Sequence, residues 1–181
     1  MSTRIAINGL GRIGRCVVRA LAERDTELEL VAGNDIADAA GLASLLRYHS
    51  VFGRFPAEVA LGHGVLTAGD LRPRVLAEAE PEQLPWGALG VDVVLDCSGR
   101  FRTRDGAAAY LSAGRPQGHR LGAGQGPDVA LCLGVNDEAY DPERHDVVSN
   151  ASCTTNCLAP ARQLDQRPPA GGRAGLRGAT G

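Results

Sequence analysis

Three glycines spaced G-x-G-x-x-G, in Gly9-Leu-Gly-Arg-Ile-Gly14, join a short apolar run to an amphipathic segment, and they constrain this chain more than any other feature. Before them, Arg4-Ile-Ala-Ile-Asn8 has the length and apolarity of a buried strand. After them, residues 15–24 place Val17, Val18, Leu21 and Ala22 at the i, i+1, i+4, i+5 spacing of one helix face. Leu28-Glu-Leu-Val31 reads as a second strand that closes on Asn34-Asp35. Glycine clusters are common in turns, and this one gains its meaning from that context. Gly9 permits the tight turn, Gly11 lets the backbone approach a pyrophosphate, and Gly14 lets the helix pack closely on the strand. The free N–H groups at the helix head then face the phosphates with the positive end of the dipole. Asp35, 21 residues past Gly14, stands where a carboxylate accepts bonds from ribose hydroxyls. Its charge repels a 2′-phosphate, so the segment predicts a βαβ unit that takes NAD rather than NADP.

Hydrophobic residues make up 44% of the 181 and aromatic ones only 4%, so the core rests on Val, Ile, Leu and Ala, as in buried parallel strands. The expected fold is α/β, a doubly wound, mostly parallel sheet of Rossmann type. Residues 37–48 read as a helix, 52–55 as a loop, and 57–78 as small antiparallel strands about the turn Leu61-Gly-His-Gly64. Val91-Asp-Val-Val-Leu-Asp-Cys-Ser-Gly99 is a buried strand ending in Ser98 and Gly99. Ligands in such sheets lie at C-terminal strand ends, which makes Ser98 and Gly99 candidates for the nicotinamide pocket wall. An ordinary strand-to-loop turn accounts for that segment equally well. A net charge of −2 argues against binding nucleic-acid phosphates. No apolar run approaches the ~18 residues of a membrane span, and the N-terminus lacks the parts of a signal peptide.

Five cysteines, at 16, 97, 132, 153 and 157, are an odd count without framework spacing, which predicts reduced thiols in the cytoplasm and no structural metal. The run Val147-Val-Ser-Asn-Ala-Ser-Cys-Thr-Thr-Asn-Cys-Leu-Ala-Pro160 singles out Cys153. Ser149, Asn150 and Ser152 are N-cap types that place Cys153 in the first turn of a helix, where dipole and N–H groups stabilise a thiolate. A thiolate so placed can add to an aldehyde, and hydride loss to NAD then leaves a thioester. Cys16, Cys97 and Cys132 read as buried and inert, and Cys157 as helix packing.

Ala6-Ile-Asn-Gly-Leu-Gly-Arg-Ile-Gly-Arg15, Asn34-Asp35, Ser50-Val-Phe-Gly-Arg-Phe55 and Ser149-Asn-Ala-Ser-Cys-Thr-Thr-Asn-Cys157 together resemble the phosphorylating glyceraldehyde-3-phosphate dehydrogenase family, from about residue 3 to residue 160. The resemblance implies that the Arg12 and Ile13 backbone meets the NAD pyrophosphate and that Asp35 holds the ribose. It implies Cys153 as nucleophile, Ser152 and Thr154 as contacts to substrate or its phosphate, a phosphorylated aldehyde and inorganic phosphate as small-molecule partners, and a homotetramer for the intact family. Erythrose-4-phosphate dehydrogenase shares these motifs. A catalytically silent NAD-binding fragment is the reading from another class.

The chain departs from the family in three places. Ala79 stands where the family commonly has an Arg beside the adenine. Residues 115–125, with three glycines and a proline, replace a hydrophobic strand ending in Ser-Ala-Pro and make a poor central strand. With permitted codons, the same bases read one position later spell Arg-Lys-Val-Ile-Val-Ser-Ala-Pro-Gly-Lys, which points to two compensating single-base shifts. After Pro160 the family likeness fades: residues 161–167 can extend a helix, Pro168-Pro169 stop it, and 168–181 read as disordered or out of frame. The expected domains are 1–149, which binds NAD, and 150–181, the start of a catalytic domain cut short. His49, His63, His119 and His145 do not match the family's general base, so the chain by itself is expected to turn over no substrate.

Overall fold

The computed structural model describes residues 2–101, 103, 104, 106, 110, 117–120 and 126–166. The expectations for residues 115–116, 121–125 and 167–181 lie outside these. Strand β1 (Thr3–Asn8) runs through a glycine turn into helix α1 (Arg12–Glu23) and then strand β2 (Leu28–Asn34). Helix α2 (Ala39–Arg47) follows, N-capped by the Asp38 carboxylate on the Gly41 N–H at 2.7 Å. The short strands β3 (Tyr48–His49) and β4 (Gly53–Arg54) pair with each other, where the sequence predicted only a loop. Strands β5 (Val59–Gly62), β6 (Val65–Ala68) and β7 (Arg74–Leu76) come next. Then come β8 (Val93–Asp96), β9 (Gln117–Arg120), β10 (Val129–Ala130), β11 (Val147–Ser149) and helix α3 (Cys153–Gln166).

Nine of these strands form one sheet in the order β10-β11-β9-β8-β1-β2-β7-β6-β5. The pairings from β10 through to β7 are parallel, and only β7–β6 and β6–β5 are antiparallel. The expected antiparallel strands over 57–78 therefore form one edge of a parallel sheet. The β5–β6 hairpin turns on His63 at φ 51 and Gly64 at φ 73, two left-handed residues that match the twist of the strands.

Alternation along β1 sends its side chains to two cores. Ile5 and Ile7 face a cluster with Val18 of α1, Leu42 and Leu46 of α2, and Phe55. Ala6 faces the other way, with Ala32, Leu84, Trp86, Val94 and Tyr110. A strand buried on both faces cannot alternate apolar with polar, which is why 4–8 reads as one apolar run.

Two further features depart from the sequence reading inside this frame. Ala22 of the predicted α1 stripe is exposed, while Arg19 is 4% exposed. The Arg19 guanidinium donates from Nη2 to the Leu46 and Gly53 carbonyls at 2.7 and 3.0 Å and lies 5.1 Å from the Phe55 ring centroid. One carbonyl oxygen at the C-terminal end of α2 and one from β4 replace the carboxylate a buried cation usually needs. The second departure is β9, since residues 117–120 do form a central strand. Gly118 pairs with Val94 on one side and with Val147 on the other. Backbone ladders from two neighbouring strands override the weak strand propensity of this segment.

Candidate active site

At the C-terminal ends of β1, β2 and β8 stand Asn8, Asn34 and Asp96, each no more than 5% exposed. Asn34 donates to the Asn8 Oδ1 at 2.7 Å and to the Glu78 carbonyl at 2.8 Å, while its own Oδ1 accepts from the Glu78 N–H at 2.8 Å. That two-way pairing extends the sheet edge by a side chain and holds residues 78–79 in place. Asn8 Nδ2 donates to the Tyr110 hydroxyl. Asp96 Oδ1 accepts from the Ser98 hydroxyl at 2.7 Å and from the Ser98 N–H at 3.1 Å. Burial, reinforced by the Asp96 charge, pushes the Cys97 thiol up to about 12 and raises the Tyr110 hydroxyl as well. Both groups stay protonated at neutral pH. Cys16 and Cys97 are half-buried, which corrects their reading as buried, while Cys132 is buried as expected.

Above these ends lies a cleft of about 200 Å³ that brings together Gly9, Gly11, Asp35 and Ser98 of the predicted site. The three glycines of the turn differ in what the fold asks of them. Gly9 sits at φ 93, and a Cβ there would lie 2.5 Å from the Ser98 nitrogen. A Cβ on Gly14 would lie 2.1 Å from the Gly9 carbonyl oxygen and 3.2 Å from Ile7 Cγ2. A Cβ on Gly11 would meet nothing within 4 Å. The protein itself therefore leaves Gly11 open space, on the face where a phosphate would approach. No side chain caps α1, and its first internal bond runs from the Arg15 N–H to the Gly11 carbonyl. The N–H groups of Arg12, Ile13 and Gly14 precede that bond, as the first donors of any helix do. Asp35 is aimed at the turn by two backbone donors, Leu10 to Oδ2 at 2.7 Å and Ala37 to Oδ1 at 2.9 Å. A turn of open N–H groups beside an oriented carboxylate fits the pyrophosphate and ribose of a dinucleotide.

Arg12, Ile13 and Gly14 open α1 beside the cleft without lining it, and Gly99, at φ 70, follows Ser98 just off its wall. Ala79 does line it, so that departure from the family falls on the site itself. Asn8, Asn34, Ile36, Glu78, Cys97, Arg100 and Phe101 complete the wall and had not been named as site residues. For Asn8, Cys97 and Arg100 a signal was present, because each adjoins a predicted C-terminal strand end. Nothing local marks Glu78, which reaches the cleft through Asn34, 44 residues away in sequence.

Cys153 begins α3 and is exposed. Ser152 caps the helix, its Oγ accepting from the Thr155 N–H at 3.0 Å and lying 2.8 Å from the Thr154 hydroxyl. Cys157 is exposed as well, which corrects its reading as a packing residue: α3 presents that face to solvent. Since β1, β8, β9 and β11 are adjacent and parallel, the turns into α1 and α3 leave the sheet at the same edge. Three strand spacings, roughly 14 Å, separate them along it.

A parallel sheet ordered β7-β2-β1-β8-β9-β11, reversing direction at β1 beside a glycine turn, defines a dinucleotide-binding α/β fold. Residues 3–104 match the NAD binding domain of glyceraldehyde 3-phosphate dehydrogenase, and the chain belongs to that family. It is 51% identical over 158 residues to glyceraldehyde-3-phosphate dehydrogenase 1 of Streptomyces avermitilis, covering 87% of this chain and 47% of that one. To the enzyme of Kitasatospora aureofaciens it is 51% identical over 164 residues, 90% of this chain and 49% of the other. With that of Geobacillus stearothermophilus it shares 47% over 160 residues, 88% and 48% of the two chains. The chain thus spans about half the length of the curated relatives it matches.

Proposed function

We propose that this chain contributes the NAD site and the nucleophile to the phosphorylating oxidation of glyceraldehyde 3-phosphate. The observation that carries the reading is the shared sheet edge, from which the glycine turn and the Cys153 helix head both emerge. Residues 1–149 are read as the cofactor domain and 150–181 as the start of the catalytic one. Bound NAD supplies the hydride acceptor. Gly9, Gly11 and the N–H groups of Arg12, Ile13 and Gly14 bind its pyrophosphate, Asp35 its adenosine ribose, and Ser98 with Gly99 flank the nicotinamide side. At about 200 Å³ the cleft is smaller than the ~300–1,000 Å³ pockets that enclose whole ligands, which suits it to one end of a dinucleotide.

Cys153 Sγ adds to the aldehyde carbon. Loss of hydride from that carbon converts the adduct to a thioester, and inorganic phosphate displaces the thiolate to give the acyl phosphate. Ser152 and Thr154 stand at the N-terminus of α3, where hydroxyls and backbone N–H groups suit an incoming phosphate. Five free cysteines accord with a reducing cytoplasm. A homotetramer is the assembly proposed for the intact enzyme.

The test is titration with NAD and NADP by calorimetry, joined to protection of Cys153 from iodoacetamide. NAD should bind more tightly than NADP, and glyceraldehyde 3-phosphate should protect Cys153 while the corresponding acid does not. Stronger protection by erythrose 4-phosphate would move the assignment to that aldehyde. Absence of NAD binding would reject the cofactor site, and leave a chain without this function.

A further inference from the structure

We infer that Asn156 is a positioning residue for Cys153, with buried Cys132 as its anchor; this rests on the reading of Cys153 as nucleophile. Asn156 lies three residues into α3, and its side chain turns back to the segment before the helix. Its Nδ2 donates to the Asn150 carbonyl at 2.8 Å and to the Ser152 carbonyl at 3.0 Å. Its Oδ1 lies 3.7 Å from the Cys132 Sγ, whose one proton faces this oxygen and, at 4.0 Å, the Thr155 carbonyl of the same helix turn. Both amide hydrogens are thereby committed to carbonyls and the oxygen to a thiol, which leaves the amide a single orientation.

Between the two carbonyls that Asn156 holds is Ala151, at φ 54. A residue with a Cβ adopts that left-handed conformation only when its surroundings hold it there. The Ser149 Oγ, accepting from the Ala151 N–H at 3.2 Å, and the Asn156 amide are the holders the geometry provides. Helix capping is a separate matter, because Ser152 already satisfies the Thr155 N–H. Asn156 binds no helix donor with its side chain. What it sets is the direction in which the chain enters α3, and so where Cys153 Sγ stands relative to the first N–H groups.

Cys132 is itself well founded. It is 5% exposed, and its N–H donates to Asn136 Oδ1 at 2.8 Å while Asn136 Nδ2 returns to the Ala130 carbonyl at 3.0 Å. A path of hydrogen bonds thus runs from β10 through Cys132 and Asn156 to the turn that aims Cys153. This gives a buried thiol a part in placing the exposed one.

The experiment measures iodoacetamide alkylation of Cys153 and Cys157 in the full chain by mass spectrometry. Cys157, exposed and one turn on, serves as internal reference. Cys153 should react about tenfold faster than Cys157 in the unmodified chain, and Asn156→Ala should bring the ratio close to one, the effect expected from losing two hydrogen bonds. Cys132→Ala keeps the amide and removes its anchor, so the ratio should fall by about threefold, and Cys132→Ser should restore it by supplying a hydroxyl donor. An unchanged ratio in folded Asn156→Ala and Cys132→Ala would overturn the positioning role and leave Cys153 as nucleophile. A ratio of one in the unmodified chain would overturn both. Should Asn156→Ala fail to fold by circular dichroism, the Cys132 pair decides: fall and rescue support the inference, and either no fall or a fall that Cys132→Ser does not recover rejects it.

Discussion

Two strand-to-helix turns leave the same sheet edge, and they solve the same problem in opposite ways. The turn from β1 into α1 is stripped of side chains: glycine stands at the N-cap, no side chain caps the helix, and a Cβ at Gly11 would face open space. The turn from β11 into α3 is crowded with them, with Ser152 capping, Asn156 bracing and a non-glycine residue in the left-handed region. On the proposed function, the first turn admits a ligand's phosphate and leaves its N–H groups for it. A turn that must aim its own thiol satisfies itself, so that the thiol's direction does not wait on a ligand.

The comparison breaks most readily at Gly14. In Gly14→Val a branched side chain would start 2.1 Å from the Gly9 carbonyl oxygen, and the chain should lose about 4 kcal/mol of stability in urea titrations. Gly11→Val should cost at most about 1 kcal/mol of stability, the penalty of a β-branched residue at the α1 N-cap, and weaken NAD binding by roughly 100-fold, about 2.7 kcal/mol, in calorimetry. Retention of affinity would show that the open face of Gly11 is not where the phosphates lie. Asp35→Ala should cost roughly tenfold in NAD affinity and erase the discrimination against NADP. On the second turn, Ser152→Ala should remove about 1 kcal/mol by leaving the Thr155 N–H unpaired, without touching NAD binding.

The smallest effect concerns acid. Asp128 accepts from the Val147 N–H at 2.8 Å, the Asp146 N–H at 3.0 Å and Arg104 Nε at 3.0 Å. Partial burial opposes its charge, but these donors outweigh it and hold the carboxyl below its usual 3.8. A depressed value means that the contribution is present above pH 3.8 and disappears as pH falls through the lower folded value. The protection of residues 146–149 against hydrogen exchange, taken relative to the intrinsic rate at each pH, should therefore fall below about pH 4 while residues 5–8 keep theirs. An equal fall in both strands would show that the two turns do not loosen independently.

The first turn was legible in sequence because its demands are mostly local. Gly14 answers a clash with Gly9 in the same turn and Asp35 directly follows the very next strand, whereas the contact behind Gly9, at Ser98, is the one demand that is not local. The second turn was legible as far as Cys153 and its cap, but the roles of Asn156 and Cys132 depend on a contact across 24 residues. Arg19 escaped because a guanidinium reads as a surface residue until the helix end that receives it is known. β9 escaped because a segment with Gly118 at its centre becomes a strand only through the ladders on either side. Cleft walls such as Glu78 and Ile36 share this character: position in the sheet brings them in, and no local pattern announces it.

Strand order also sets a timetable for a ribosome. Ile5 of β1 pairs with Val93 of β8, 88 residues later, so the middle of the sheet has one bare flank until that strand is made. At ~5–20 residues per second this interval lasts roughly 4–18 s. During it the nascent chain can close β1, α1 and β2 into a unit, yet it carries an apolar strand with unpaired backbone groups on one side. Folding helpers that shield such edges would be needed at this stage of synthesis, and slowing translation between codons 35 and 93 should lower the yield of soluble chain.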